Sequence, residues 1–374
     1  MPDWKYYLAK SPAPGADPTL PLERVGWLKQ ATGRTLAVAM GRAGECGFNY
    51  DIFNPYSSFL FSGVNYCIEC ERDKEYVWSG PLANNAGSSD TNKKGSMQIK
   101  AVGWLELLTK RELREDVTYG ATNPATSAPW TDWEIVQDLL NRVINYDVAH
   151  APPIRWGGHF GDPINRQASW KKGVKVEQCF RELMEVEAGV HIAVDPSDRL
   201  LYVYAWDYYT DRTNLTFGYN KPPNNIAKLS WRVDFLSNLL NRYSGYGQNN
   251  TAALAEDGGS QDIYGLMEDT VNLPGNLTQN ALLGYVGAEV TLKAKPMLFY
   301  DFEPAAVAGI KTPERRSVPM LFKDFDIGDV CRLSLDYGPL QEDERKIRMF
   351  GVTLAIGDDS SERMTNVQTT ASAA

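Results

Sequence analysis

The stretch Val64-Asn65-Tyr66-Cys67-Ile68-Glu69-Cys70-Glu71-Arg72-Asp73-Lys74-Glu75-Tyr76-Val77-Trp78 decides the fold class. Val64, Tyr66, Ile68 and Cys70 alternate with Asn65, Cys67, Glu69 and Glu71, the period-two pattern of a strand whose successive side chains face opposite sides of a sheet. Arg72-Asp73-Lys74 is a polar turn and Glu75-Tyr76-Val77-Trp78 returns, so the segment reads as a hairpin. Upstream, Leu36, Val38 and Met40 alternate in the same way, and the pattern resumes at Met97, Ile99 and Ala101. Residues 83–95 between them hold no apolar side chain larger than Ala and read as a loop. Short strands separated by turns imply a barrel or sandwich, so residues 1–124 are expected to form an N-terminal β-barrel-like domain.

After a linker-like stretch at 120–131, the pattern changes period. Thr131 and Glu134 stand at capping-box spacing. Trp133, Val136, Leu140, Val143 and Ile144 then share one helical stripe. A Gly- and Trp-rich segment, Trp156 to Pro163, reads as a loop. A second helix follows with Val176, Phe180, Leu183, Met184 and Glu187 on one face and Gly189 at the C-terminal cap position. His191–Val194, the turn Asp195-Pro196-Ser197-Asp198, and alternating Leu200, Tyr202, Tyr204 and Trp206 form a hairpin. Residues 125–209 are thus a central α+β module of two helices on a hairpin.

Residues 210–374 return to strands at Met297–Phe302, Val330–Leu335 and Phe350 to Ile356. One helix, 277–292, interrupts them, with Leu277, Ala281, Tyr285, Ala288 and Leu292 aligned, a cap pair at Asn276 and Gln279, and Pro296 beyond its end. The tail from about residue 358 is Ser/Thr/Ala-rich and is expected to fray. The fold class is therefore α+β and β-dominated, with a C-terminal β-barrel-like domain carrying one inserted helix.

At 374 residues the chain can bury a large core without metal or disulfide staples. Its net charge of −9 argues against a protein that coats nucleic acid or an acidic membrane surface. No apolar run approaches the roughly 18 residues of a transmembrane segment. The N-terminus lacks the charged start, apolar run and cleavage site of a signal peptide. Five Cys, an odd number, speak against a fully paired disulfide framework and for folding in a reducing cytoplasm. In that compartment the Asn-x-Thr triplets at Asn214, Asn249 and Asn276 carry no glycosylation reading.

The search for chemistry returns no catalytic, cofactor-binding or metal-binding residue. Cys67-Ile68-Glu69-Cys70 has redox or zinc spacing, but strand residues three apart face opposite sides, so the thiols diverge, and no second ligand pair exists. His191 starts a strand and reads as structural. His150 and His159 share a segment without a GxSxG elbow to support a triad. Asp324, Asp326 and Asp329 lack the spacing and closing Glu of an EF-hand and read as a turn entering a strand. No phosphate-cradling GxxxxGK[ST] or GxGxxG loop occurs. Trp78, Tyr202 and Trp206 sit at strand alternation, where sheet packing accounts for them before sugar stacking does.

The order of features resembles the hub-type minor tail proteins of long-tailed bacteriophages, those of actinobacteria in particular, and more distantly the baseplate hub of contractile tails. The resemblance is carried by Val77-Trp78-Ser79-Gly80-Pro81, Ala101-Val102-Gly103-Trp104-Leu105-Glu106-Leu107-Leu108 with Lys110-Arg111-Glu112, and the Thr131–Tyr146 helix. It continues in the helix and hairpin of 175–206, Asp262-Ile263-Tyr264-Gly265, the 277–292 helix, Asp326-Ile327-Gly328-Asp329-Val330 and Arg348-Met349-Phe350-Gly351-Val352. It implies a non-enzymatic structural protein at the distal tip of the virion tail, made in the host cytoplasm. It further implies a homotrimer whose two barrel-like domains per subunit approximate sixfold symmetry. The implied partners are the distal tail protein ring, the tape measure protein and downstream receptor-binding proteins, with no cofactor and no sequence-specific nucleic acid binding. Two rivals stand beside it. One is the distal tail adaptor of the same tip. The other is a cell-wall glycan-binding or glycan-hydrolysing protein.

Overall fold

A computed structural model describes residues 2–13, 17, 19–62, 65–89, 95–120, 122–185, 189–205, 208–234, 239–247, 251–272, 279–295, 297–305, 318–338 and 340–371. Val64, Glu187, Trp206, Asn249, Asn276 and Leu277 lie outside them.

The first part contributes β1 (Trp4–Lys10), β2 (Arg24–Trp27), β3 (Thr32–Ala39), β4 (Glu45–Asp51), α1 (Ser57–Ser62), β5 (Tyr66–Arg72), β6 (Glu75–Ser89) and β7 (Gly95–Val102). These strands run side by side in the order β3-β4-β7-β6-β5-β1-β2. The hairpin of the opening stretch is β5 and β6, paired from Cys67↔Pro81 to Arg72↔Glu75. The stretch expected as a loop at 83–95 is largely strand. β6 continues to Ser89 and pairs with β7, Asn85 opposite Ile99. Backbone pairing needs no apolar side chain, so composition concealed it; residues 90–94 fall outside the described set.

The sheet curls. Three interstrand steps separate β4 from β5, roughly 14 Å if flat, yet the Cys46 and Cys70 sulfurs stand 3.7 Å apart. Tyr6 on β1 meets Phe48 on β4 with ring centroids 5.8 Å apart, again across the interior.

The central module holds a 3₁₀ turn (Trp104–Lys110), β8 (Val117–Tyr119), α2 (Asp132–Tyr146), β9 (Arg155–Phe160), β10 (Ala168–Trp170), α3 (Val176–Glu185), β11 (His191–Val194) and β12 (Leu200–Tyr204). α2 opens with the expected capping box: Glu134 N donates to Thr131 Oγ1 at 3.3 Å and Thr131 N donates to Glu134 Oε2 at 2.9 Å. Its face buries Ile135, Val136, Leu139, Leu140, Val143 and Ile144, each contributing about 1.5–3 kcal/mol. The Gly- and Trp-rich segment is strand β9, parallel to β12. Gly157 makes that possible, because a Cβ there would lie 2.7 Å from the Tyr202 ring. α3 ends at Glu185, so the cap expected at Gly189 follows residues outside the described set.

The last part holds β13 (Asp211–Tyr219), β14 (Ile226–Asp234), β15 (Arg242–Tyr246), β16 (Ala252–Glu256), α4 (Gly258–Tyr264), β17 (Glu268–Asn272), α5 (Gln279–Lys293), β18 (Met297–Pro304), β19 (Val330–Tyr337), β20 (Leu340–Ile356) and β21 (Glu362–Ala371). Six of these strands follow the order β13-β19-β20-β21-β18-β14. Phe217 on β13 meets Phe302 on β18 at 4.9 Å although four interstrand steps separate them, so this half curls as well. β15, β16 and β17 form a separate small sheet under α5.

Among the described side chains of α5, Leu282, Val286 and Val290 are buried and Tyr285 is partly buried, while Leu277, Ala281, Ala288 and Leu292 of the expected stripe and Pro296 beyond it lie outside what is described. The tail from 358 does not fray: β21 pairs with both β20 and β18. Its buried residues are Glu362 and Met364, then Val367 and Thr369, and the register shift beside Thr365 switches the phase.

β20 is the seam between the halves. Its first portion pairs with β19 and Gly351–Ile356 pairs with β3, so residues 1–124 and 210–374 share one sheet. At Gly351, where the partner changes, a Cβ would meet Gln368 and Ala39 at 3.1 and 3.2 Å. One apolar cluster runs through both halves, and a second joins the central module to Ala9 and Cys67 of the first.

Candidate functional site

β5 is buried along nearly its whole length, on both faces. Cys70 points into the first barrel-like half and Cys67 points to the central module, each sulfur in a different core. The divergence expected of the CxxC spacing is therefore what the strand produces. Burial pushes the Cys67 thiol up to about 12.

The three histidines do not converge. His150 is exposed and its Nδ1 sits 2.8 Å from Asp147. His159 stacks on Trp133 with ring centroids 3.4 Å apart. His191 is buried where β11 meets the last half, between Tyr204 at 5.7 Å and Tyr209 at 5.5 Å. Burial, with the Arg348 charge adding to it, lowers its pKa to about 3, so the ring is neutral.

The aspartates serve turns. Asp324 accepts from Met320 N at 2.8 Å. Asp329 accepts from Asp326 N at 3.0 Å and Thr210 N at 3.2 Å, and pairs with Arg212 at 3.4 Å. Among the described residues no group of three or more His, Cys, Asp or Glu is placed to hold a metal ion. No described helix is long and apolar enough to cross a membrane.

A recess of about 550 Å³ lies where the β3–β4 turn, α3 and β20 converge. Its apolar wall includes Met40, Leu105, Met184 and Phe350. Glu45 at its rim is paired to Lys100 at 2.8 Å, and Glu177 lies 3.9 Å from Arg181. These charges are spent on one another, not aimed at a common reacting atom.

What the sequence reading missed are surfaces and buried ion pairs. On the face of β9 and β12 turned away from the helices, Phe160 contacts Tyr202, Tyr204 and Tyr208 with centroids 5.1–5.6 Å apart. Phe160 is 38 % and Tyr208 47 % exposed. Trp231 and Tyr337, 5.7 Å apart, form a second exposed aromatic patch on the last half. Taking 156–163 as a loop hid the first patch. Inside, Glu362 of β21 accepts from Trp4 Nε1 at 2.6 Å and from Arg72 Nε at 2.5 Å. Arg24 pairs with Glu69 and Glu71 at 2.8 and 3.0 Å while its guanidinium lies 3.7 Å from the Tyr7 ring centroid.

No family model matches the chain, and no curated protein matches its sequence. Solved structures do match its shape. A tail protein from Neisseria meningitidis MC58 superposes with a TM-score of 0.57 at 12% identity, covering 97% of this chain and 96% of that one. Its fold is that of phage tail proteins. The tail-protein fold recurs in the 43 kDa tail protein of prophage MuSo2 from Shewanella oneidensis, with a TM-score of 0.56, 9% identity, and 98% and 96% of the two chains covered. It recurs again in prophage tail protein gp18 from Listeria monocytogenes EGD-e, with a TM-score of 0.55, 12% identity, and 97% and 94% covered. At such identities the side chains have been replaced almost throughout while the layout of strands persists. The β-dominated α+β architecture expected from the residues is thus shared with tail proteins from end to end.

Proposed function

We propose that this chain is a structural protein of a bacteriophage tail, and within the tail the hub-type minor tail protein of the distal tip. The observation that carries the reading is the match of fold over nearly the whole length of both chains. Two curled halves fused through β20 suit the hub position, since three copies in a closed ring present six barrel-like units to a hexameric neighbour. In this reading the neighbours are the distal tail ring and tape measure protein on one side and receptor-binding proteins on the other. The Phe160–Tyr208 and Trp231–Tyr337 patches supply the aromatic anchors that subunit interfaces favour. The reading gives the chain no reaction, cofactor or metal.

The test is imaging of intact particles labelled with an antibody against this chain. Signal at the distal tip supports the hub. Signal along the tube or on the head rejects it. Hydrolysis of purified peptidoglycan by the chain, abolished by a single Asp or Glu change, would replace the structural reading with an enzymatic one.

A further inference from the structure

Two of the five cysteines, 24 residues apart in sequence, meet inside the first half. Cys46 on β4 and Cys70 on β5 are both fully buried, and their sulfurs are 3.7 Å apart. The strands that carry them are not hydrogen-bonded neighbours; β7 and β6 stand between, and the contact crosses the barrel interior. The other three sulfurs have different surroundings. Cys67 lies on the opposite face of β5 against the Ala9 carbonyl, and Cys179 of α3 donates to the carbonyl of Lys175, the residue just before that helix. Cys331 is buried on β19 in the last half.

We propose that Cys46 and Cys70 are a modification site, joined as an intrachain disulfide when the folded protein meets a peroxide. A disulfide needs a sulfur separation near 2.05 Å, so the facing sulfurs, now 3.7 Å apart, must close by roughly 1.6 Å. Hydrogen peroxide, only two heavy atoms, is small enough to reach a buried pair that a protein or tripeptide oxidant cannot. One thiolate attacks a peroxide oxygen, the O–O bond breaks, and the departing hydroxide takes a proton to leave as water, giving a sulfenic acid. The second thiol attacks that sulfur, the S–O bond breaks, and a second water leaves with the remaining proton. Two thiols are oxidised by two electrons and one peroxide is reduced to two waters. Burial holds the Cys70 thiol well above its ordinary range, so thiolate is scarce and closure is slow. The bond is a lasting fastener between β4 and β5, independent of any role in a tail.

The experiment treats the purified full-length chain with hydrogen peroxide, then unfolds it in guanidinium with iodoacetamide. Chymotrypsin cleaves between Cys46 and the Cys67–Cys70 segment, so mass spectrometry resolves the pair. The expected product is a Cys46–Cys70 cross-linked peptide two hydrogens lighter than its reduced parts, with Cys67, Cys179 and Cys331 alkylated. The oxidised protein should also melt several degrees higher than the reduced one, a gain missing from both Cys46→Ser and Cys70→Ser. All five cysteines alkylated, separate sulfinic or sulfonic acids at 46 and 70, or a bridge without a higher Tm would each overturn the proposal.

Discussion

Replacing Glu362 with Leu should cost about 3–5 kcal/mol of stability, the usual penalty for leaving a buried charge without its partner. Glu362 and Arg72 have side chains only 2% and 6% exposed, and they meet through Nε–Oε1 at 2.5 Å and Nη2–Oε2 at 3.3 Å. Leu has similar volume, so little of the loss comes from packing. Arg72 would keep only Asp73, at 3.4 Å and half exposed, and the Trp4 indole N–H would lose its acceptor. Guanidinium unfolding with an m-value of about 5 kcal/mol/M would then shift its midpoint down by roughly 0.6–1 M. Adding Arg72→Met removes the stranded charge and should restore most of the loss. A single variant within about 1 kcal/mol of wild type, or a double variant no better than the single, would refute the assignment of this pair as the tie between β21 and the first half. A frayed tail would predict that neutral result, so the same measurement decides between the two accounts of residues 358–371.

Thr131→Ala should lower stability by about 1 kcal/mol through loss of the α2 cap, read by urea unfolding, while Thr131→Ser should lose little. His191 has a folded pKa of about 3 against 6.5 unfolded, so the unfolded chain binds its proton first as pH falls. Its contribution is complete above pH 6.5 and drains by about 1.4 kcal/mol per pH unit down to about pH 3. His191→Phe should remove that slope from the stability difference between pH 7 and pH 5, and an unchanged slope would contradict the buried neutral ring. Tyr208→Ser and Trp231→Ser should leave unfolding within about 1 kcal/mol of wild type while reducing the ring assembly proposed for this chain, measured by sedimentation. Assembly unchanged in both would remove these patches from the interface.

Local features were legible in the residues. The Thr131–Glu134 box, the Val136–Ile144 stripe, the β5–β6 hairpin and the divergence of Cys67 from Cys70 each depend on a few neighbouring positions, and each appears as expected. Features set by distant partners were not. Nothing near Leu36 announces that Leu354 will lie opposite it. β21 escaped notice because its alternation changes phase at a bulge, and the far end of β6 because Asn, Gly and Ser contribute backbone rungs without an apolar signal. The aromatic patch at Phe160 needed β9, a strand disguised by two glycines.

The pairing of β3 with the far end of β20 places a delay in the life of each new molecule. β3 leaves the ribosome more than three hundred residues before its partner does. At translation speeds of 5–20 residues per second, its edge stays uncovered for roughly 15–60 s. During that interval the nascent chain offers a ready template to any other half-made copy on the same polysome. Shielding by a chaperone becomes a requirement of production, because β4 covers only the opposite edge of β3, and yield in the host should depend more on that interval than on the stability of the finished protein.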